Sequence, residues 1–225
     1  MSEQERKIIF TNDLDGVHFR TPPVPRHITR AWRGEMGIPP VGREVGVFSP
    51  KEGMMGRLSS RWSVLYHQVK PVNQEALAGL ETFRQIAEAH ERDIRFAALS
   101  GREVDKHDMT RRVLERSGHL EYFTALHLNT GTSATAWKES VVKSFLDEDM
   151  NVVHIEDDLK AGLGIARLDG LYEDDRVLVY MMRTLANHPR MIERSGVEIP
   201  PNLHFVRNFA EAAEDFEQRL AAGAL

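Results

Sequence analysis

The chain contains no cysteine. That excludes disulfides, thiolate zinc sites, iron–sulfur clusters and a cysteine nucleophile. Long apolar runs are missing as well, since no stretch approaches the roughly 18 uncharged apolar residues needed to span a bilayer. Met1 to Lys7 carry charge of both signs and no apolar leader, so the expected location is the cytoplasm, with no membrane partner. No Walker A sequence, His-Glu-x-x-His or Gly-x-Ser-x-Gly occurs. Gly162-Leu163-Gly164-Ile165-Ala166-Arg167 begins like a dinucleotide fingerprint. Arg167, however, stands where the third glycine belongs, and the run follows an acidic cluster that would repel a pyrophosphate. The ten histidines are scattered without ligand spacing.

What is present is an ordinary globular composition: 225 residues, 41% hydrophobic and 28% charged. That is enough for one domain with a sizeable core and a small insertion. The net charge of −5 hides a split. Residues 20–70 hold nine basic side chains and three acidic ones, a surplus of +6 that leaves −11 on the rest of the chain. A cationic segment on an acidic body points to an anionic ligand or to a solvated basic loop.

Six short apolar segments read as buried strands: Lys7 to Thr11, Ile94 to Leu99, Ala125 to Leu128, Asn151 to Ile155, Val177 to Tyr180 and Leu203 to Val206. Helical patterns lie between most of them. Asn73 is placed to cap a helix running to Glu91, with Leu77, Leu80, Phe83, Ile86 and Ala87 at helical spacing. Lys106 to Ser117, Ala136 to Leu146, Leu159 to Leu168 and Phe209 to Leu220 follow the same pattern. Alternation of strands and helices predicts an α/β fold: a three-layer, Rossmann-like, mainly parallel sheet covered by helices on both faces. In such sheets reactive residues collect at the carboxyl ends of the strands.

Three strand-end features and one lysine at a helix start stand out. Asp13 and Asp15 flank Leu14 before Gly16. Two carboxylates so placed suit a hard cation, a division into nucleophile and acid–base, or simply an Asp-rich turn. Ser100-Gly101 offers a hydroxyl and an amide at a helix entry, either a small anion site or an N-cap. Glu156-Asp157-Asp158 are three consecutive acids that repel one another without a cation or a basic group among them, or else a surface turn. Lys138 lies in the first turn of a predicted helix, where it opposes the dipole and needs another reason to be there. Lys143 is the alternative.

In order and placement these features match a known family: the chain resembles the haloacid dehalogenase (HAD) superfamily of phosphohydrolases from Lys7 to about Arg167. Asp13-Leu14-Asp15-Gly16-Val17 is similar to its first motif, Ser100-Gly101-Arg102 to the second, Lys138 to the third and Glu156-Asp157-Asp158 to the fourth. The resemblance implies Asp13 as nucleophile, Asp15 as general acid and then base, and an aspartyl-phosphate intermediate. It also implies Mg²⁺ held by Asp13, the Asp15 carbonyl and Asp157. Asp158 then acts through water or a hydrogen bond, with Glu156 an alternative ligand. Ser100 and the Gly101 amide would hold the phosphoryl oxygens and Lys138 would offset charge. Carbon–halogen dehalogenases need neither Asp15 nor the metal.

Thirty-eight positions separate Ser100 from Lys138 and 85 separate Asp15 from Ser100, so a small cap is expected at 20–70, with 1–19 and 71–225 forming the core. Six prolines, and five glycines between Gly34 and Gly53, leave room there only for a short helix over Leu58 to Val69. Arg57 and Arg61, with Arg102, are the candidate substrate contacts. The expected activity is Mg²⁺-dependent hydrolysis of a small phosphorylated metabolite, a nucleotide or sugar phosphate. A phosphotransferase or mutase with the same site, or a phosphatase for nucleic-acid ends with the basic insertion as its groove, is the alternative.

Overall fold

The structure is a computed structural model that describes residues 6–19, 72–130, 133–171, 176–184, 192 and 196–225. The chain divides into two units, Met1–Arg20 with Val72–Leu225, and Thr21–Pro71. The first of these is described below. The expected cap at 20–70, with its predicted helix and with Arg57 and Arg61, lies outside the described residues.

Six strands form one sheet: β1 (Ile8–Asp13), β2 (Ile94–Glu103), β3 (Phe123–Asn129), β4 (Asn151–Glu156), β5 (Val177–Met182) and β6 (Leu203–Val206). Every pairing is parallel, in the order β3-β2-β1-β4-β5-β6. The central strand β1 is buried along its whole length, and its residues alternate between two cores. Ile8 and Phe10 enter one, and Ile9 enters the other.

Among the described residues five helices cover the sheet: α1 (Gln74–Ala89), α2 (His107–Arg116), α3 (Ala134–Asp147), α4 (Leu159–Ala166) and α5 (Phe209–Ala221). Leu80 and Phe83 of α1, Val113 and Leu114 of α2 and Phe216 of α5 share the core with Phe10. The Phe10 ring lies 4.6 Å from Phe83 and 4.9 Å from Phe216, centroid to centroid. Trp137, Val142 and Phe145 of α3 and Leu163 and Ile165 of α4 form the other core with Ile9 and Val152. This is the predicted three-layer parallel architecture, and its strand order reverses between β1 and β4, the point where such sheets open a crevice.

The elements differ from the sequence reading mainly at their ends. β1 runs two residues further, to Asp13, and β2 runs four further, to Glu103. Asn73 precedes α1 as predicted but makes no side-chain cap. Its Nδ2 instead donates to the Val17 carbonyl at 2.9 Å, and its amide donates to the His18 carbonyl at 2.8 Å. Those bonds tie the start of α1 to the turn after β1. Beside them, Phe19 and Val72 form an antiparallel bridge, joining the two chain ends that flank residues 20–71. Among the described residues no helix is long and apolar enough to cross a membrane.

Candidate active site

Asp13 ends β1 beside the crevice and is buried. The chain then turns sharply, with the amides of His18 and Phe19 donating to the Leu14 carbonyl and the Gly16 amide donating to the Phe19 carbonyl. Gly16 has φ +96°, which side-chain-bearing residues rarely adopt, and a Cβ there would lie 1.9 Å from Asp157 Oδ2. The turn after β1 and the acid after β4 are therefore in close contact only because residue 16 is glycine.

Lys138 reaches the same place from α3. Its Nζ donates to Asp13 Oδ1 at 2.7 Å and to Glu156 Oε2 at 2.5 Å, and the side chain is buried. The predicted position is corrected here. Ser133 caps the helix, accepting from the Ala136 amide, so α3 starts at Ala134 and Lys138 falls in the second turn rather than the first. What accounts for this lysine is two buried carboxylates, not an opposed dipole. Lys143 pairs instead with Asp147 on the exposed face of the helix.

Glu156 ends β4 with both oxygens engaged. Oε1 accepts the amides of Asp157 and Asp158 at 3.1 Å each, and Oε2 faces Lys138 and His154 Nε2. His154 Nδ1 lies 2.8 Å from Thr11 Oγ1. With Nε2–H donating to Glu156, Nδ1 accepts the Thr11 hydroxyl proton. The Asp158 carboxylate caps α4 through the Lys160 and Ala161 amides at 2.8 and 3.3 Å. Carboxylate oxygens of Asp13, Glu156 and Asp157 all lie within 4.8 Å of one another. Of the predicted metal residues, Asp13 and Asp157 thus converge, Glu156 joins them, and Asp158 is turned to its helix.

Ser100 and Gly101 lie in β2, not at a helix entry, because the strand continues to Glu103 with its register to β3 shifted between Ser100 and Glu103. Ser100 Oγ accepts the Arg102 amide at 3.3 Å. A Cβ on Gly101 would stand 3.0 Å from that of Ala134, so the helix start beside Gly101 is that of α3. Arg102 is buried and forks onto Asp15, with Nε to Oδ2 at 2.9 Å and Nη2 to Oδ1 at 2.7 Å. Sequence reading missed this pair and also His154. The signal for the latter was a histidine among Val152, Val153 and Ile155, in register with Thr11 of the neighbouring strand.

Among the described residues the acids of the cluster outnumber the cations that meet them. Burial pushes the Asp13 carboxyl well above the ordinary aspartate range, and Glu156, Asp15 and Asp157 add to that push while Lys138 opposes it. Burial and then the Glu156 charge drive Asp157 up to about 7. Burial would also raise Glu156, but Lys138 and His154 outweigh it and bring the group down to about 2. Burial disfavours the Lys138 ammonium, yet Asp13 and Glu156 hold its pKa above that of an ordinary lysine. Among the described residues Lys138 serves both Asp13 and Glu156, and the two acids pushed up, Asp13 and Asp157, converge with Glu156. A hard divalent cation fits that oxygen-only donor set.

No protein-family model matches the sequence, and no match among curated proteins is found. Solved structures do match. A haloacid dehalogenase-like hydrolase from Streptococcus pneumoniae aligns with 94% of this chain and 98% of its own at TM-score 0.57 and 10% identity. The fold is HAD-like. CbbY from Rhodobacter sphaeroides, solved in complex with phosphate, covers 94% of this chain and 100% of its own at TM-score 0.56 and 13% identity. A candidate β-phosphoglucomutase from Thermotoga maritima covers 94% and 99% at TM-score 0.56 and 15% identity. At these identities the likeness speaks for the HAD-like architecture; the chemistry rests on the residues at the strand ends.

Proposed function

We propose that the protein is a Mg²⁺-dependent phosphomonoester hydrolase that works through an aspartyl-phosphate on Asp13. The convergence of Asp13, Lys138, Glu156 and Asp157 where the strand order reverses carries this reading. Asp13 and Asp157, with the Asp15 carbonyl, would hold the metal. Bound there, Mg²⁺ would supply charge neutralisation and polarise a phosphoryl oxygen.

The residues of the chain then divide the work. An Asp13 oxygen attacks phosphorus as the ester oxygen departs, and Asp15 gives that oxygen its proton. In the second half Asp15 takes a proton from water, the water oxygen attacks phosphorus, and Asp13 is freed. Lys138 orients Asp13 and offsets the charge of carboxylate and phosphate. Glu156, held by His154 and two amides, fixes Lys138 in turn. Ser100 and the Gly101 amide would receive phosphoryl oxygens. The substrate class is a small phosphorylated metabolite, a nucleotide or sugar phosphate, and the basic residues of 20–70, Arg57 and Arg61 among them, would meet its anionic part.

Phosphate release from a panel of such metabolites, with and without Mg²⁺, tests the reading. Asp13→Asn is expected to abolish it, and full activity in that variant would overturn the mechanism. The likeness to a candidate mutase favours phosphoryl transfer to a hydroxyl as the second reading. ¹⁸O-labelled water decides between them, because hydrolysis places solvent oxygen in the released phosphate.

A further inference from the structure

A guanidinium whose side chain is only 2% exposed must have its charge met inside the protein. Arg102 meets it on Asp15 through two parallel bonds of 2.9 and 2.7 Å. Fork-on-carboxylate pairing fixes the plane of the carboxylate as well as its position. The guanidinium is held from other sides too: Nη1 donates to Thr110 Oγ1 of α2 at 3.3 Å, and its carbon lies 5.3 Å from the centre of the Phe19 ring. Asp15 keeps 27% of its side chain exposed, so it is gripped from the interior while one side remains accessible. At 2% exposure the Arg102 side chain offers a substrate almost no surface.

We infer that Arg102 is a positioning residue for Asp15 rather than a substrate contact. This rests on Asp15 being the proton carrier of the proposed reaction. As the Asp13–phosphorus bond forms and the phosphorus–oxygen ester bond breaks, the departing oxygen must receive the Asp15 proton. Misplacing a proton donor slows that transfer without weakening substrate binding. The loss depends on the leaving group, because an alkoxide departs poorly without a proton whereas a nitrophenolate departs readily as the anion.

The test measures kcat/KM of the full chain with Mg²⁺ for an alkyl phosphate, glycerol phosphate, and for p-nitrophenyl phosphate. Because kcat/KM reports the steps up to transfer onto Asp13, the later hydrolysis shared by both esters does not blur the comparison. Arg102→Gln and Arg102→Lys, the latter keeping the charge without the fork, are expected to lose roughly 10²-fold or more on the alkyl ester and far less on the aryl ester. Thr110→Val is expected to shift the same ratio in the same direction by less. If circular dichroism shows Arg102→Gln unfolded, Arg102→Lys and Thr110→Val carry the comparison. Equal losses on both esters would mark Arg102 as a substrate contact or a purely structural residue, and no loss would mark it as dispensable; either overturns the inference. Failure of the underlying reading looks different: wild-type protein would release no phosphate from either ester, or Asp13→Asn would remain active.

Discussion

Asp157 shows what a single carboxylate reveals about the site. Its pKa of about 7 in the metal-free protein means that a proton and a cation compete for it near neutrality. The sign follows from its being raised: Mg²⁺ must displace a proton below pH 7 and meets an ionised group above it. Calorimetric titration is expected to show Mg²⁺ affinity weakening as pH falls from 8 to 6, and Asp157→Asn to bind poorly at both values. Affinity independent of pH would remove Asp157 from the donor set. At this scale the sequence displayed Asp13, Asp15, Lys138 and the 156–158 acids, because their residue types and spacing are local. It did not display how Arg102 meets Asp15 or His154 meets Glu156 and Thr11. The first pair is 87 residues apart in the chain, and the second depends on strand register.

Among the elements, α1 and α5 meet at a close approach. A Cβ at Gly79 would come within 2.3 Å of the Phe209 ring, which itself packs near Phe83. Gly79→Ala would improve helix propensity by about 1 kcal/mol, but overpacking a core costs about 1–3 kcal/mol. Net destabilisation is expected, read as a lower midpoint in urea unfolding with an unchanged slope; a raised midpoint would show that the helices separate freely. Strand centres were legible because each is a short apolar run buried on both faces. Helix and strand ends were not. Ser133 set the start of α3 through a local cap on the Ala136 amide that the apolar pattern did not reveal, whereas the register shift against β3, a contact outside the segment, carried β2 past Gly101.

Across the whole molecule, buried histidines set a lower pH limit on folding. Burial, and then His119, holds the His18 pKa well below the ordinary histidine value, and burial lowers that of His119. Their rings meet edge to face at 5.0 Å. At these two histidines the unfolded chain therefore binds protons that the folded one does not, so their contribution to stability is complete above a pH of about 6.5 and declines as the pH drops beneath it. Asp13 and Asp157, pushed up by burial, act in the opposite sense over the same window, so the histidine contribution is read as a difference: from pH 8 to pH 5 the wild-type denaturation midpoint is expected to fall relative to that of His18→Phe, and parallel profiles would exclude this histidine. The parallel architecture was readable from the alternation of strands and helices, whereas a buried histidine pair drawn from two distant loops was not. The bridge between Phe19 and Val72 has a consequence of another kind. It pins the two chain ends to each other within the sheet-bearing unit, so the end of the turn after β1 and the start of α1 are held by contacts of that unit itself. A change in the length of the chain between these two ends therefore leaves the junction, and with it the sheet and its strand-end acids, in place.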